Sequence, residues 1–132
     1  MSIKVLDSYA LIAFFEDEPG AETVEALILK AEGNNVELAI SVVNLGEVWY
    51  SIARRTSTSI ADEYLLEIQG MAIEVVDANW ELTRLAAEFK SKGRISYADC
   101  FAAALAKSHK AELITGDKEF KALEGEIKIT WI

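Results

Sequence analysis

Two spacings of apolar residues alternate along the chain. Short apolar runs at Ile3–Leu6, Val36–Ile40, Ile73–Val76, Glu112–Thr115 and Ile127–Ile132 read as strands. Between them lie stretches with helical spacing. Ser8–Phe15 reads as a short helix, and Ala21–Glu32 carries Val24, Leu27 and Ile28 on one side before Gly33-Asn34-Asn35 stops it. Ser41 caps a long helix through Arg55 with Val42, Leu45, Val48, Trp49 and Ile52 on its apolar face. Thr58–Met71 is a further helix. Asn79–Lys92 carries Leu82, Leu85, Ala86 and Phe89, and Gly93 ends it. Ser96–Ala106 (S-Y-A-D-C-F-A-A-A-L-A) is an Ala-rich helix with one carboxylate, Asp99, near its start, and Asp117–Leu123 is a short helical turn.

Strands alternate with helices, no repeat is visible and no linker divides the chain. The pattern predicts one domain over residues 1–132, of the α/β class, with a three-layer α/β/α arrangement around a mainly parallel sheet of about five strands. Ligands of such sheets bind beyond the C-terminal ends of the strands. Two strands run straight into acids there, I-K-V-L-D at Asp7 and E-L-I-T-G-D at Asp117. Glu47 lies six residues past the Ser41 cap, about 9 Å along its helix. Asp99 lies in a first helical turn. Taken singly, each acid has a plainer use. Asp7 and Asp117 suit helix caps. Ser96 and Asp99 have capping-box spacing. Glu47 shares a polar stripe with Asn44, Ser51 and Arg54. Four acids near one rim are harder to explain that way, because convergent carboxylates repel unless a cation joins them.

Charge sharpens the question. The 132 residues are 52% hydrophobic and 27% charged, with a net charge of −9. A chain that binds nucleic acid through phosphates usually carries a basic surplus. An anionic ligand here needs a bound cation or a local basic patch. The candidate patches are Arg54-Arg55, Lys90–Arg94 and Lys107–Lys110, with Arg54, Lys92 and Arg94 placed to hold phosphates. No apolar run reaches the roughly 20 residues of a membrane span, and the opening M-S-I-K-V-L-D lacks signal-peptide organisation. The single cysteine, Cys100, fits a buried structural thiol in a reducing cytoplasm.

The available donors narrow the chemistry. There is no Cys/His cluster, and His109, the only histidine, sits in a basic helix end. Carboxylates with Ser8 and Thr115 hydroxyls suit Mg²⁺ or Mn²⁺ rather than zinc. No Ser-His-Asp set and no phosphate-binding G-x-x-x-x-G-K loop can be assembled. Two rivals remain. A Mg²⁺-dependent phosphoacceptor or phosphatase domain would carry a second acid beside the first, whereas Asp7 is flanked by Leu6, Ser8 and Tyr9. A non-catalytic module would use the acids to capture a basic peptide.

The segments V-L-D-S-Y-A-L-I-A-F-F, S-V-V-N-L-G-E-V, S-Y-A-D-C-F-A-A-A-L-A and L-I-T-G-D-K-E-F resemble, in this order, the four signature segments of PIN-domain ribonucleases. More narrowly they resemble the VapC-type toxins of toxin–antitoxin pairs. The resemblance implies a PIN-like fold and a metal-dependent endoribonuclease with Asp7, Glu47, Asp99 and Asp117 as metal-binding catalytic acids, Ser8 and Thr115 supporting. It also implies RNA as substrate and a cognate antitoxin that places an apolar helix and a basic residue at a site rimmed by Trp49 and Tyr50. A homodimer is expected, and no membrane association.

Overall fold

The computed structural model describes residues 2–132; Met1, included in the expected domain, lies outside them. Strands β1 (Ile3–Leu6), β2 (Glu37–Ser41), β3 (Ile73–Val76), β4 (Glu112–Thr115) and β5 (Ile129–Trp131) form one sheet in the order β3-β2-β1-β4-β5, every neighbouring pair parallel. Six α-helices connect them: α1 (Ser8–Phe15), α2 (Ala21–Glu32), α3 (Val42–Arg55), α4 (Thr58–Gln69), α5 (Trp80–Lys92) and α6 (Tyr97–Ser108). Lys118–Leu123 forms a 3-10 helix. Among the described residues no helix is long and apolar enough to cross a membrane.

The strands' period of two divides the core between the faces of the sheet. Val5 lies in register with Ala39 on one side and Leu113 on the other, and these three pack beneath α5 and α6. Leu6, Leu38, Ile40 and Ile114 point the opposite way, among residues of α1 to α4. These are the layers that alternating strands and helices predict.

Helix α6 departs from the usual one-sided pattern, for every residue from Asp99 to Ala106 is buried. It packs against α3, α5 and the three central strands. A helix enclosed on all sides needs small side chains where its neighbours come close, and Ala102, Ala103, Ala104 and Ala106 provide them. Cys100 lies within this helix, and burial pushes its thiol up, the condition of an inert structural cysteine.

The element boundaries differ slightly from the sequence expectation, for local reasons. Asn79 stands outside α5 as its cap, accepting from the Leu82 amide at 2.9 Å. α4 ends at Gln69 because the Gly70 amide folds back on the carbonyls of the last turn. β5 is shorter than residues 127–132, since Ile127 turns inward to the core before pairing with β4 begins.

From β1 the chain moves outward through β2 to β3, then returns across the sheet to β4 on the other side of β1. The loops leaving β1 and β4 therefore part in opposite directions, opening a crevice at the C-terminal ends of these strands.

Candidate metal centre

Asp7 and Asp117 stand on the two walls of that crevice. Asp7 follows β1 and caps α1, its Oδ1 accepting from the Ala10 amide at 2.9 Å. Its Oδ2 accepts from the hydroxyl of Thr115, the last residue of β4. Thr115 Oγ1 also accepts from the Asp117 amide at 3.0 Å. One buried hydroxyl thus ties the ends of both central strands to two acids. Asp117 caps the 3-10 helix through the Glu119 amide, 3.0 Å from its Oδ1. Ser8 lies half-buried in the first turn of α1.

Asp99 enters from α6. Ser96 caps this helix, its Oγ accepting from the Asp99 amide at 3.1 Å. Only that half of the expected capping box forms, and the Asp99 carboxylate is left to face other acids. One oxygen each of Asp99, Asp117 and Glu119 lies within 4.8 Å of the others. Glu47 arrives from α3 on the arm of Asn44, whose Nδ2 donates to Glu47 Oε1 and to the Ala98 carbonyl, both at 3.0 Å. Asn44 is fully buried, so it fixes Glu47 relative to the turn that bears Asp99.

The electrostatics follow from this convergence. Burial pushes the Asp7 carboxyl up to about 7; the Thr115 and Ala10 hydrogen bonds oppose this, and the charges of Asp99 and Asp117 add to it. Asp99 is likewise pushed up to about 7, by burial first and then by Asp117 and Glu47, with Glu119 contributing and Ser96 opposing. Among the described residues no ion pair reaches any of these five acids. The contrast lies at the opposite end of the sheet, where a depression of ≈ 540 Å³ is lined by Glu112 and Glu126 together with Lys4, Lys107, His109, Lys110 and Lys128. There Lys4 and Lys128 pair with Glu112, and Lys107 pairs with Glu126. The crevice acids differ in converging on one another with no Lys or Arg among the described residues paired to them. Hard oxygen donors held together without counter-charge are suited to a hard divalent cation.

Two members of this arrangement escaped the sequence reading. Asn44 looked like part of an exposed stripe, but α6 covers it. Glu119, just past Asp117, is the other, its carboxylate brought beside those of Asp99 and Asp117. Trp49 does not rim the acids as expected: its indole donates to Asp62 of α4 at 2.9 Å. Arg54 is exposed and lies over the Tyr50 ring, 5.0 Å from its centre. Lys92 and Arg94 are exposed at the end of α5 and in the loop before α6.

Solved structures share this architecture across nearly the whole chain. A chain of VapBC2 from Rickettsia felis, bound to a DNA fragment from its promoter, matches with TM-score 0.76 and 21% identity, covering 98% of each chain. DNA-bound VapBC from Salmonella typhimurium matches with TM-score 0.76 and 17% identity, again over 98% of each. Mycobacterium tuberculosis VapC20, a sarcin-ricin loop cleaving toxin, matches with TM-score 0.74 and 16% identity, over 94% of this chain and 95% of the other. At such identities the likeness is one of fold. No curated protein matches in sequence. The family model for the PIN domain matches residues 4–126, so that the crevice acids and the 3-10 turn all fall inside it, and the chain belongs to the PIN domain family.

Proposed function

We propose that the chain is a metal-dependent endoribonuclease that hydrolyses RNA phosphodiester bonds, and the toxin of a toxin–antitoxin pair. The observation that carries the enzymatic reading is the set of five convergent carboxylates that no Lys or Arg among the described residues pairs with. Asp7, Glu47, Asp99 and Asp117 would hold Mg²⁺ or Mn²⁺, with Glu119 beside them. When bound, such a cation supplies an acidified water and positive charge for the developing oxyanions.

The chain's own residues set the geometry. Thr115 and the Ala10 amide fix both oxygens of Asp7, and Asn44 fixes Glu47. Asp99 presents an oxygen from α6 and Asp117 one from the loop after β4, within 4.8 Å of each other. Carboxyls that hold their protons to about pH 7 give them up when a cation binds, so metal uptake is proton-coupled. Arg54, Lys92 and Arg94 are the residues we assign to RNA phosphates.

The toxin reading draws on the matched structures, which are VapBC assemblies and a sarcin-ricin loop cleaving toxin. By the same analogy the partner is an antitoxin protein; that the protein is a homodimer acting in the cytoplasm is a proposal from the sequence. Cleavage of a single-stranded RNA in Mg²⁺, Mn²⁺ or EDTA tests the activity. Metal-dependent endonucleolytic products are expected, reduced by orders of magnitude in Asp7→Asn and Glu47→Gln. Equal cleavage by wild type and variants refutes the reading. Co-expression with the protein of the adjacent reading frame tests the pairing: an inhibited complex is expected, and full activity at saturating partner refutes it.

A further inference from the structure

Gly116 sits between Thr115 and Asp117, and its glycine is demanded by space rather than by backbone conformation. Among the described residues the only glycine with positive φ is Gly20. A Cβ at Gly116 would instead meet the Tyr9 ring, with Cζ at 2.6 Å and Oη at 2.9 Å. The ring thus lies directly on the backbone that joins two residues of the acidic crevice. It is nevertheless 40% exposed. An aromatic ring held rigidly at a rim and left open to solvent is a platform that loses little freedom when something stacks on it.

The other tyrosines show why Tyr9 is singled out. Three of the four are exposed, and each lies within three residues of a crevice acid: Tyr9 near Asp7, Tyr50 near Glu47 and Tyr97 near Asp99. Arg54 already lies over the Tyr50 ring. Tyr97 packs edge-on against Phe101, with ring centres 5.2 Å apart. The fourth, Tyr64, is half-buried and stacks on Phe15 against the core. Tyr9 alone has a glycine cleared beneath it.

We infer that Tyr9 is a substrate-binding residue, the platform on which one nucleobase of single-stranded RNA stacks while the adjoining phosphate lies over the acids. The inference rests on the ribonuclease reading. Stacking suits a chain with net charge −9 because it adds affinity without phosphate contacts.

The test is a cycle between protein and nucleotide. Fluorescein-labelled RNA oligonucleotides, each with one abasic ribose at a different position, are bound in Mg²⁺ to chains in an Asp99→Asn background, and affinity is read by anisotropy. With Tyr9 intact, one position near the scissile bond should lose roughly 5- to 100-fold in affinity, and its neighbours little. With Tyr9→Ala that position should lose nothing further, while Tyr9→Phe retains the wild-type pattern. Gly116→Ala, which displaces the ring but keeps it, should mimic Tyr9→Ala. A merely structural Tyr9 would lower thermal stability without creating positional dependence. A uniform abasic profile, or the same profile with and without Tyr9, overturns the inference. RNA cleavage by the unmutated chain is measured separately. Absence of cleavage with a preserved positional profile overturns the nuclease reading alone, and absence of RNA binding overturns both.

Discussion

Replacing Asp99 by Asn should stabilise the metal-free fold while abolishing most activity. The substitution leaves the backbone amide of residue 99 and its bond to Ser96 in place, and it removes one charge from among Asp117, Glu47 and Glu119. The carboxyl is held to about 7 in the folded chain against 3.8 ordinarily. Between those values the folded state binds more protons than the unfolded one, so stability falls as pH rises and levels off above about 7. At ~1.4 kcal/mol per pH unit the complete effect would approach ~4 kcal/mol. Solvent reaches the crevice side of the group, and screening reduces this to ~1–2 kcal/mol. Urea unfolding in EDTA at pH 4, 5.5 and 8 reads it directly. The advantage of Asp99→Asn should be near zero at pH 4, grow through pH 5.5 and be largest at pH 8. Excess Mg²⁺ should then raise the wild-type midpoint more than the variant's, because the wild-type site binds the ion more tightly. If the variant is less stable at pH 8 by an amount independent of pH, Asp99 serves only the helix and the account of shared charge is wrong.

Asn44→Ala should cost ~1–3 kcal/mol, since the Ala98 carbonyl is left without its buried donor; chemical unfolding checks this, and a fall in metal-dependent cleavage would report the freed Glu47. Ala103→Leu in α6 should cost ~1–3 kcal/mol by overpacking a helix with no open side, read as a lower thermal midpoint. Reversing Arg54 or Arg94 to Glu should weaken RNA binding several-fold at low salt and leave metal affinity nearly unchanged. Unaltered RNA affinity in both variants would remove these residues from the phosphate path.

What the sequence reveals and conceals follows from the range of the forces involved. Asp7, Ser41 and Ser96 are legible because a cap is a contact between neighbours in the chain. The strand ends at Asp7 and Thr115 are legible because apolar runs stop there. Asn44 was not, because the cover over it comes from Ala98, 54 residues away, and no local pattern distinguishes a covered Asn from a solvated one. Trp49 shows the same limit. Helical spacing places it on the apolar face with Leu45, Val48 and Ile52, but the partner that chooses the direction of its indole is Asp62 on the next helix. Glu119 belongs to the same case. Its neighbour Asp99 lies on α6, twenty residues earlier in the chain, and only the tertiary fold brings the two together.

The bond from Thr115 to Asp7 closes a loop of 108 residues. Contacts so far apart in sequence are slow to form, because the intervening chain must be gathered before they bring any return. Neither wall of the crevice exists until β4 has paired with β1. A chain still being synthesised, or one cut anywhere before residue 112, therefore presents isolated carboxylates rather than a nest for a cation. In the ribonuclease proposed above, the centre would be assembled only once most of the chain has been made.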